Sequence, residues 1–134
     1  MERTSSSVFN INYHFVWCPK YRKPILTDKI KEFLKDCLET ICEAKGWKIV
    51  ELSIQSDHLH LFLSTNPEFS PTMIVKVLKG VTSLQLFKKY PELKKDYWSG
   101  HLWSPSYYVG TAGKVTSENI KRYIEEQEHN SSTL

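Results

Sequence analysis

Two kinds of hydrophobic periodicity run along the chain and predict four strands and three helices. Runs rich in β-branched and aromatic residues or in alternating leucines predict strands at 8–17, 47–54, 58–65 and 102–110. Apolar positions three and four residues apart predict helices that begin at Thr27 or Asp28, at Ser70-Pro71 and at Thr116. These helices are expected to end at the C-cap Gly46, near Lys89 and near Glu128. The predicted order of elements is β-α-β-β-α-β-α.

This order indicates an α+β fold. The first six elements match a ferredoxin-like, or RRM-like, split βαβ unit with an antiparallel sheet, and the C-terminal helix is an addition. Such a fold leaves one sheet face without helices, which the added helix, a partner subunit or nucleic acid could cover. Pro105 interrupts the fourth predicted strand, and because proline has no backbone N–H, an edge position or a bulge is favoured there.

The first two helices each present one apolar face, which we expect to pack on the sheet. In the first helix the face consists of Ile30, Phe33, Leu34, Cys37, Leu38 and Ile41. In the second helix it consists of Ile74, Val77, Leu78, Val81 and Leu84.

Length and composition indicate one ordinary globular domain. The chain has 134 residues, of which 40% are hydrophobic and 25% charged, so we expect a single domain over 1–134 with a frayed tail at 130–134. No apolar run approaches the roughly 18 residues that span a bilayer. The first ten residues lack the apolar core of a signal peptide, so we expect a cytoplasmic protein without membrane contact. The three cysteines are odd in number and lack C-x-x-C spacing, so we expect them to be reduced and structural.

The net charge of +3 is compatible with nucleic-acid binding, but the distribution of charge is more informative. Lys20, Tyr21, Arg22 and Lys23 combine phosphate-binding charge with a stacking aromatic, as single-strand binders do. A second group, off the apolar face of the second helix, consists of Lys76, Lys79 and Lys88. A solvated charged face is an equally good interpretation of both groups.

Two histidines share one face of the third predicted strand. Side chains alternate along a strand, so Leu59, Leu61 and Leu63 point to the core, while His58 and His60 point away, roughly 7 Å apart at Cα. Two imidazoles at that spacing can converge on one metal ion. For an isolated H-x-H pair, two half-exposed polar residues are the more common interpretation. His14, His101 and His129 have no partner at ligand spacing, and we expect structural or surface positions for them.

The last predicted helix carries Ile120, Tyr123, Ile124 and Gln127 on one stripe. The two isoleucines are sufficient to dock the helix, so Tyr123 and Gln127 face whatever the helix covers. A tyrosine at such a position is by itself more often a core aromatic than a nucleophile.

Taken together, the two motifs resemble those of the HUH endonucleases: Asp57-His58-Leu59-His60 on a strand, then a C-terminal helix with Tyr123 and Gln127 four residues apart. The chain resembles more closely the small single-tyrosine transposases of the insertion-sequence-200/605 family. The resemblance extends to 13–22 (YHFVWCPKYR) and 103–108 (WSPSYY) and covers nearly the whole chain.

The resemblance implies a transposase that cleaves and rejoins single-stranded DNA at subterminal hairpins through a 5′-phosphotyrosine on Tyr123. His58, His60 and Gln127 would hold a divalent metal, Mg²⁺ or Mn²⁺, and no organic cofactor is expected. Lys76, Lys79 and Lys88 would be candidates for gripping the hairpin. A homodimer is expected, because one tyrosine holds only one DNA end and excision needs two cleavages; the turn Ala112-Gly113 is a candidate hinge for the tyrosine helix.

Two alternatives remain open. One is a non-catalytic RRM-like nucleic-acid-binding module, although such modules place stacking aromatics where this strand has histidines. The other is an inactive domesticated relative, although all the expected catalytic residue types are present.

Overall fold

A computed structural model describes residues 11–97, 100–111 and 122–126. In this part of the chain the strands are β1 (Ile11–Trp17), β2 (Lys48–Ile54), β3 (Leu59–Thr65) and β4 (Tyr108–Thr111). The long helices are α1 (Asp28–Lys45) and α2 (Pro71–Lys89), with short 3-10 segments at Lys20–Arg22 and Pro91–Lys95. Residues 122–126 are helical. The predicted start of the first strand at 8–10, the Ala112-Gly113 hinge, the Thr116 cap and the 130–134 tail lie outside the described residues.

The strands form one antiparallel sheet in the order β2-β3-β1-β4. This is the order of a split βαβ fold. α1 connects the central strand β1 to the edge strand β2, and α2 connects the central strand β3 to the edge strand β4. The ferredoxin-like α+β prediction is therefore confirmed. Among the described strands, β4 pairs with β1 and forms one edge of the sheet.

The helix ends follow local sequence chemistry. α1 begins after Thr27 and ends at Gly46, whose φ of 75° allows its N–H to reach the carbonyls of Cys42 and Glu43. α2 begins after Ser70, whose side-chain oxygen accepts a hydrogen bond from the Met73 N–H at 3.1 Å.

The sequence predicts the fourth strand at 102–110, and this prediction is wrong for the first half of that range. Residues 102–107 do not form a regular ladder; Trp103 makes one isolated bridge to Pro19, and the strand begins only at Tyr108. The buried Ser104 donates its N–H to the Cys18 carbonyl at 2.9 Å, while Pro105 has no N–H to donate. This segment is therefore held by contacts with the chain that follows β1 rather than by strand pairing.

The buried face of α2 also differs from the expected one. Val81 and Leu84 are 37% and 68% exposed, whereas Thr82 is fully buried. The Thr82 hydroxyl donates to the Leu78 carbonyl at 2.6 Å and accepts from the Trp103 indole N–H at 3.0 Å. A threonine with both bonds satisfied can replace an apolar residue in the core, so the helix turns this face inward.

Two further observations concern the whole described part of the chain. All three cysteines are free thiols, with Cys18 and Cys42 buried and Cys37 partly so. Among the helices that the structure describes, none is both long and apolar enough to cross a membrane.

Candidate active site

The histidine pair lies where β3 begins, on the sheet face opposite the core. Leu59, Leu61 and Leu63 are completely buried against the helices, and His60 alternates with them on the other face. His58 immediately precedes the strand, and its ring centroid lies 5.1 Å from that of His60 with the ring planes 72° apart. The strand alternation that the sequence predicts thus places the two imidazoles beside each other.

Asp57 holds the ring of His58 in one orientation. One carboxylate oxygen, Oδ1, lies 2.8 Å from His58 Nδ1, and the other, Oδ2, lies 2.7 Å from Arg22 Nε. Because Nδ1 is engaged, Nε2 of His58 is the nitrogen available to a metal. Arg22 adopts a left-handed backbone conformation with φ of 52°, directly after Tyr21 with φ of 65°, and this tight turn delivers the guanidinium to the carboxylate.

His14 contacts the second histidine of the pair. His14 Nε2 lies 3.3 Å from His60 Nδ1, and the His14 ring stacks on Phe62 with centroids 4.0 Å apart. The sequence predicts a structural or surface position for His14, and the structure buries it and places it against His60. β1 and β3 pair with Val16 opposite His60, and it is this register, invisible in the sequence, that brings the two histidines together.

The electrostatic environment keeps His60 neutral. Burial, followed by the neighbouring rings of His58 and His14, lowers the pKa of His60 to about 4. A neutral imidazole has a free lone pair, which is the form that binds a metal.

Tyr123 lies on the same sheet face as His60. Its ring packs against Val16 and Cys18, and Val16 is the direct cross-strand neighbour of His60. The hydroxyl donates to the Ser106 carbonyl at 3.3 Å. Burial, followed by the Cys18 thiol, raises the pKa of Tyr123 above its usual value, so the hydroxyl is protonated in this conformation. Gln127, the predicted third metal ligand, lies outside the described residues.

The predicted DNA-binding residues of α2 occupy different environments. Lys76 and Lys88 are exposed. Lys79 is half-buried; its ammonium donates to the carbonyls of Ser104 at 2.6 Å and Ser106 at 3.2 Å, and burial lowers its pKa to about 8. The Ser106 carbonyl is also the acceptor for Tyr123, a link that the sequence does not reveal.

The basic turn after β1 is organised by aromatic contacts. The Tyr21 ring is 37% exposed and parallel to that of Tyr97, with centroids 6.5 Å apart. The ammonium of Lys20 lies 5.2 Å from the Tyr21 centroid, and that of Lys23 lies 5.7 Å from the Tyr97 centroid and 3.4 Å from Asp96. Charge and an accessible aromatic face thus occur together, while Arg22 is directed inward to Asp57.

The two histidines can supply only some of the ligands that a divalent cation needs. His58 and His60 offer two imidazole nitrogens, one oriented by a carboxylate and one kept neutral by burial. Within residues 11–97, 100–111 and 122–126, no three His, Cys, Asp or Glu side chains converge so as to hold a metal. The pair fits a metal that takes its remaining ligands from an amide side chain, water or phosphate oxygens.

Comparison with known proteins gives one consistent result. Residues 7–127 match the family described as "Transposase IS200 like". The chain is 37% identical over 127 residues to the ISDra2 transposase TnpA of Deinococcus radiodurans, covering 95% of this chain and 91% of the relative. It is 34% identical over 119 residues to the transposase for insertion sequence element IS200 of Salmonella typhimurium, covering 89% and 78%.

Solved structures agree with the fold. A transposase structure from Deinococcus radiodurans superimposes with a TM-score of 0.88 at 37% identity, covering 95% of this chain and 98% of the other. A REP-associated tyrosine transposase, solved in complex with a REP hairpin, superimposes with a TM-score of 0.56 at 9% identity, covering 93% and 68%. The second similarity concerns the fold alone.

Proposed function

Because the chain belongs to the IS200-like transposase family, we propose that it cleaves and rejoins single-stranded DNA at insertion-sequence ends, with Tyr123 as the nucleophile. The observation that carries the proposal is the placement of Tyr123 on the sheet face that also bears His58 and His60, linked through Val16. A tyrosine buried in the main core would have had no route to DNA. On this face it packs against Val16, the cross-strand neighbour of His60.

The histidine pair and Gln127 would hold the divalent metal, Mg²⁺ or Mn²⁺. Such an ion, when bound, supplies positive charge to the non-bridging oxygens of the scissile phosphate. In their metal-binding forms all three donors are uncharged, and the carboxylate of Asp57 is balanced by Arg22. The protein therefore orients the ligands without adding net negative charge at the phosphate.

Tyr123 would carry the covalent step. Its phenolic oxygen attacks phosphorus as it loses its proton, a new oxygen–phosphorus bond forms, and the bond to the 3′ oxygen breaks. The 3′ oxygen takes up a proton and leaves as a hydroxyl, while the 5′ phosphate stays on tyrosine. The reverse attack by a 3′-hydroxyl restores a phosphodiester, so rejoining needs no ATP.

The raised pKa of Tyr123 sets a condition for this step. Burial, followed by the Cys18 thiol, stabilises the protonated form of the hydroxyl, which donates to the Ser106 carbonyl. It therefore has to leave this carbonyl and approach the phosphate before it can ionise. A shift of the segment that includes residues 122–126 would accomplish this.

Recognition of folded DNA ends is part of the same proposal. The hairpin-bound REP-associated transposase has the same fold, and a hairpin here would meet Lys76 and Lys88, which are exposed on α2. The exposed Tyr21 ring with Lys20 beside it would hold single-stranded DNA by stacking and charge. Excision needs two cleavages and one tyrosine holds one end, so the working unit would be a homodimer.

The test is formation of a covalent protein–DNA adduct. The protein is incubated with single-stranded DNA carrying the element ends and Mn²⁺, then analysed on a denaturing gel. We expect an adduct with wild type, none with Tyr123→Phe and none with chelator. Tyr107→Phe is the matched control, since it also removes one phenolic hydroxyl, which among the described residues bonds to the exposed Thr72 at 3.3 Å, and it should keep the adduct.

Two outcomes would overturn the proposal. An adduct that persists in Tyr123→Phe would assign the nucleophile elsewhere. Tight DNA binding by wild type without any adduct would favour the non-catalytic RRM-like module. For the metal site, His60→Ala should abolish cleavage and leave hairpin binding largely intact; loss of both would indicate a structural histidine.

A further inference from the structure

His14 is a closely confined polar side chain beside the proposed metal site. Its ring stacks on Phe62 at 4.0 Å, and Tyr108 meets it edge-on with centroids 6.5 Å apart. The residue is only 4% exposed. The imidazole is therefore fixed from two sides before any metal or DNA arrives.

One nitrogen of this buried ring is aimed at a proposed metal ligand. His14 Nε2 lies 3.3 Å from His60 Nδ1, a hydrogen-bond distance for two imidazole nitrogens when one of them carries the proton. The other nitrogen, His14 Nδ1, is buried and has no hydrogen-bond partner among the described residues. The contact with His60 is thus the hydrogen bond that this ring makes in the described part of the chain.

The contact restricts how His60 can bind a metal. Since Nδ1 of His60 faces His14, Nε2 is the nitrogen left for the metal. A metal-binding Nε2 needs its lone pair, so in a neutral imidazole the proton has to lie on Nδ1. That N–H requires an acceptor, and His14 Nε2 is the atom in place.

We propose that His14 is a positioning residue that accepts the Nδ1–H of His60 and thereby directs Nε2 of His60 to the metal. This inference rests on the proposed metal site of His58 and His60. Metal-bound histidines commonly donate their second N–H to a carboxylate, a carbonyl or water, which fixes the tautomer and the ring orientation. Here a second histidine would fill that place.

His58 and His60 would then be held by different partners, neither of which adds net negative charge at the metal. His58 is held by the carboxylate of Asp57, whose charge Arg22 balances, and His60 is held by the neutral ring of His14. Neither arrangement brings net negative charge to the metal. The ion would thus keep its full attraction for a DNA phosphate.

The first experiment measures metal affinity without DNA. The full chain is titrated with Co²⁺, followed by visible absorption and calorimetry, in wild type, His14→Gln and His14→Leu. Glutamine and leucine are similar in size, but only glutamine offers an acceptor at the ε position. We expect His14→Leu to lower Co²⁺ affinity about 10- to 100-fold and His14→Gln to stay within about threefold of wild type.

Phe62→Leu is the control for packing. It removes the ring that stacks on His14 and leaves both nitrogens of the contact in place. Its Co²⁺ affinity should stay near that of wild type. A loss as large as that of His14→Leu would reassign the effect to packing and overturn the inference.

The second experiment observes the tautomer directly. In protein with ¹⁵N-labelled histidine and bound Zn²⁺, ring-nitrogen NMR should find the proton of His60 on Nδ1 and the metal on Nε2. Metal on Nδ1 would overturn the inference, because His14 would then be a ligand beside His60. This measurement uses wild type, so it decides the matter even where His14→Leu fails to fold.

The outcomes also separate this inference from the proposed function. If wild type binds no Co²⁺, the metal site of the proposed function fails, and the role of His14 with it. If wild type binds Co²⁺ and His14→Leu binds it equally well, only the role of His14 fails. Equal losses in His14→Gln and His14→Leu would likewise contradict an acceptor role.

Discussion

Lys79 and Tyr123 share one hydrogen-bond acceptor. The carbonyl oxygen of Ser106 lies 3.2 Å from the ammonium of Lys79 and 3.3 Å from the hydroxyl of Tyr123. A lysine from α2 thus fixes the backbone atom against which the proposed nucleophile rests.

We expect Lys79→Met to destabilise the fold. The substitution removes the charged donor of the buried Ser104 carbonyl and one of the two donors to the exposed Ser106 carbonyl, and loss of the partner of a buried acceptor costs about 1–3 kcal/mol. The free energy of unfolding, measured by urea denaturation, should fall by that amount. Lys88→Met on the same helix should leave stability unchanged and reduce the salt dependence of hairpin binding. Equal stability of the two variants would contradict the structural role of Lys79.

Asp57→Asn should weaken metal binding by about 10- to 100-fold, because it replaces the carboxylate that orients His58 and pairs with Arg22. Calorimetric titration with Mn²⁺ measures the change. Asp96→Asn is the matched control, since its partner is Lys23 at 3.4 Å on the surface and it should bind Mn²⁺ like wild type. If both variants kept wild-type affinity, Asp57 would have no part in holding the ligand.

The metal-free protein should lose stability as the pH falls from about 6.5 to about 4. In the unfolded chain His60 takes up a proton near its ordinary pKa of 6.5, whereas in the folded protein burial lowers that pKa to about 4. Between these values the unfolded state binds more protons, so acid favours unfolding. His14, whose pKa burial also lowers, acts in the same direction.

The measurement is the urea midpoint with chelator at about pH 7 and about pH 4.5, in wild type and His60→Gln. The drop should be smaller in the variant, which has no imidazole to protonate at this position. An identical drop would assign the acid sensitivity to other groups.

Thr82→Val should cost about 1–3 kcal/mol of unfolding free energy although the two side chains have nearly the same shape. The hydroxyl of Thr82 accepts the Trp103 indole N–H at 3.0 Å in a buried site, and valine leaves that donor unsatisfied. Thr82→Ser should retain most of the stability. Thr40→Val, on the exposed side of α1, should change it by no more than about 0.5 kcal/mol.

The elements that local chemistry determines could be predicted from the sequence. The period-two pattern of β3 identifies its core face, and Ser70 and Gly46 mark helix ends because capping involves neighbours in the chain. The buried face of α2 could not be fully predicted. Thr82 is inside, and Val81 outside, because Trp103 supplies a partner from 21 residues away.

The same distinction applies to the candidate site. The adjacency of His58 and His60 follows from spacing along one strand. The contact of His14 with His60 spans 46 residues and depends on how β1 is aligned with β3, and the bond from Tyr123 to Ser106 depends on where residues 122–126 dock. Sequence patterns report faces of elements; they do not report which faces meet.

The alternation of β3 couples correct folding to the correct orientation of His60. A one-residue slip of this strand would turn Leu59, Leu61 and Leu63 away from the helices and His60 into the core, at the cost of the hydrophobic burial that drives folding. Chains with a misaligned β3 would therefore stay unfolded, and they would not accumulate as folded but inactive molecules. In a population of folded molecules, nearly every one should present His60 on the proper face before it encounters a metal.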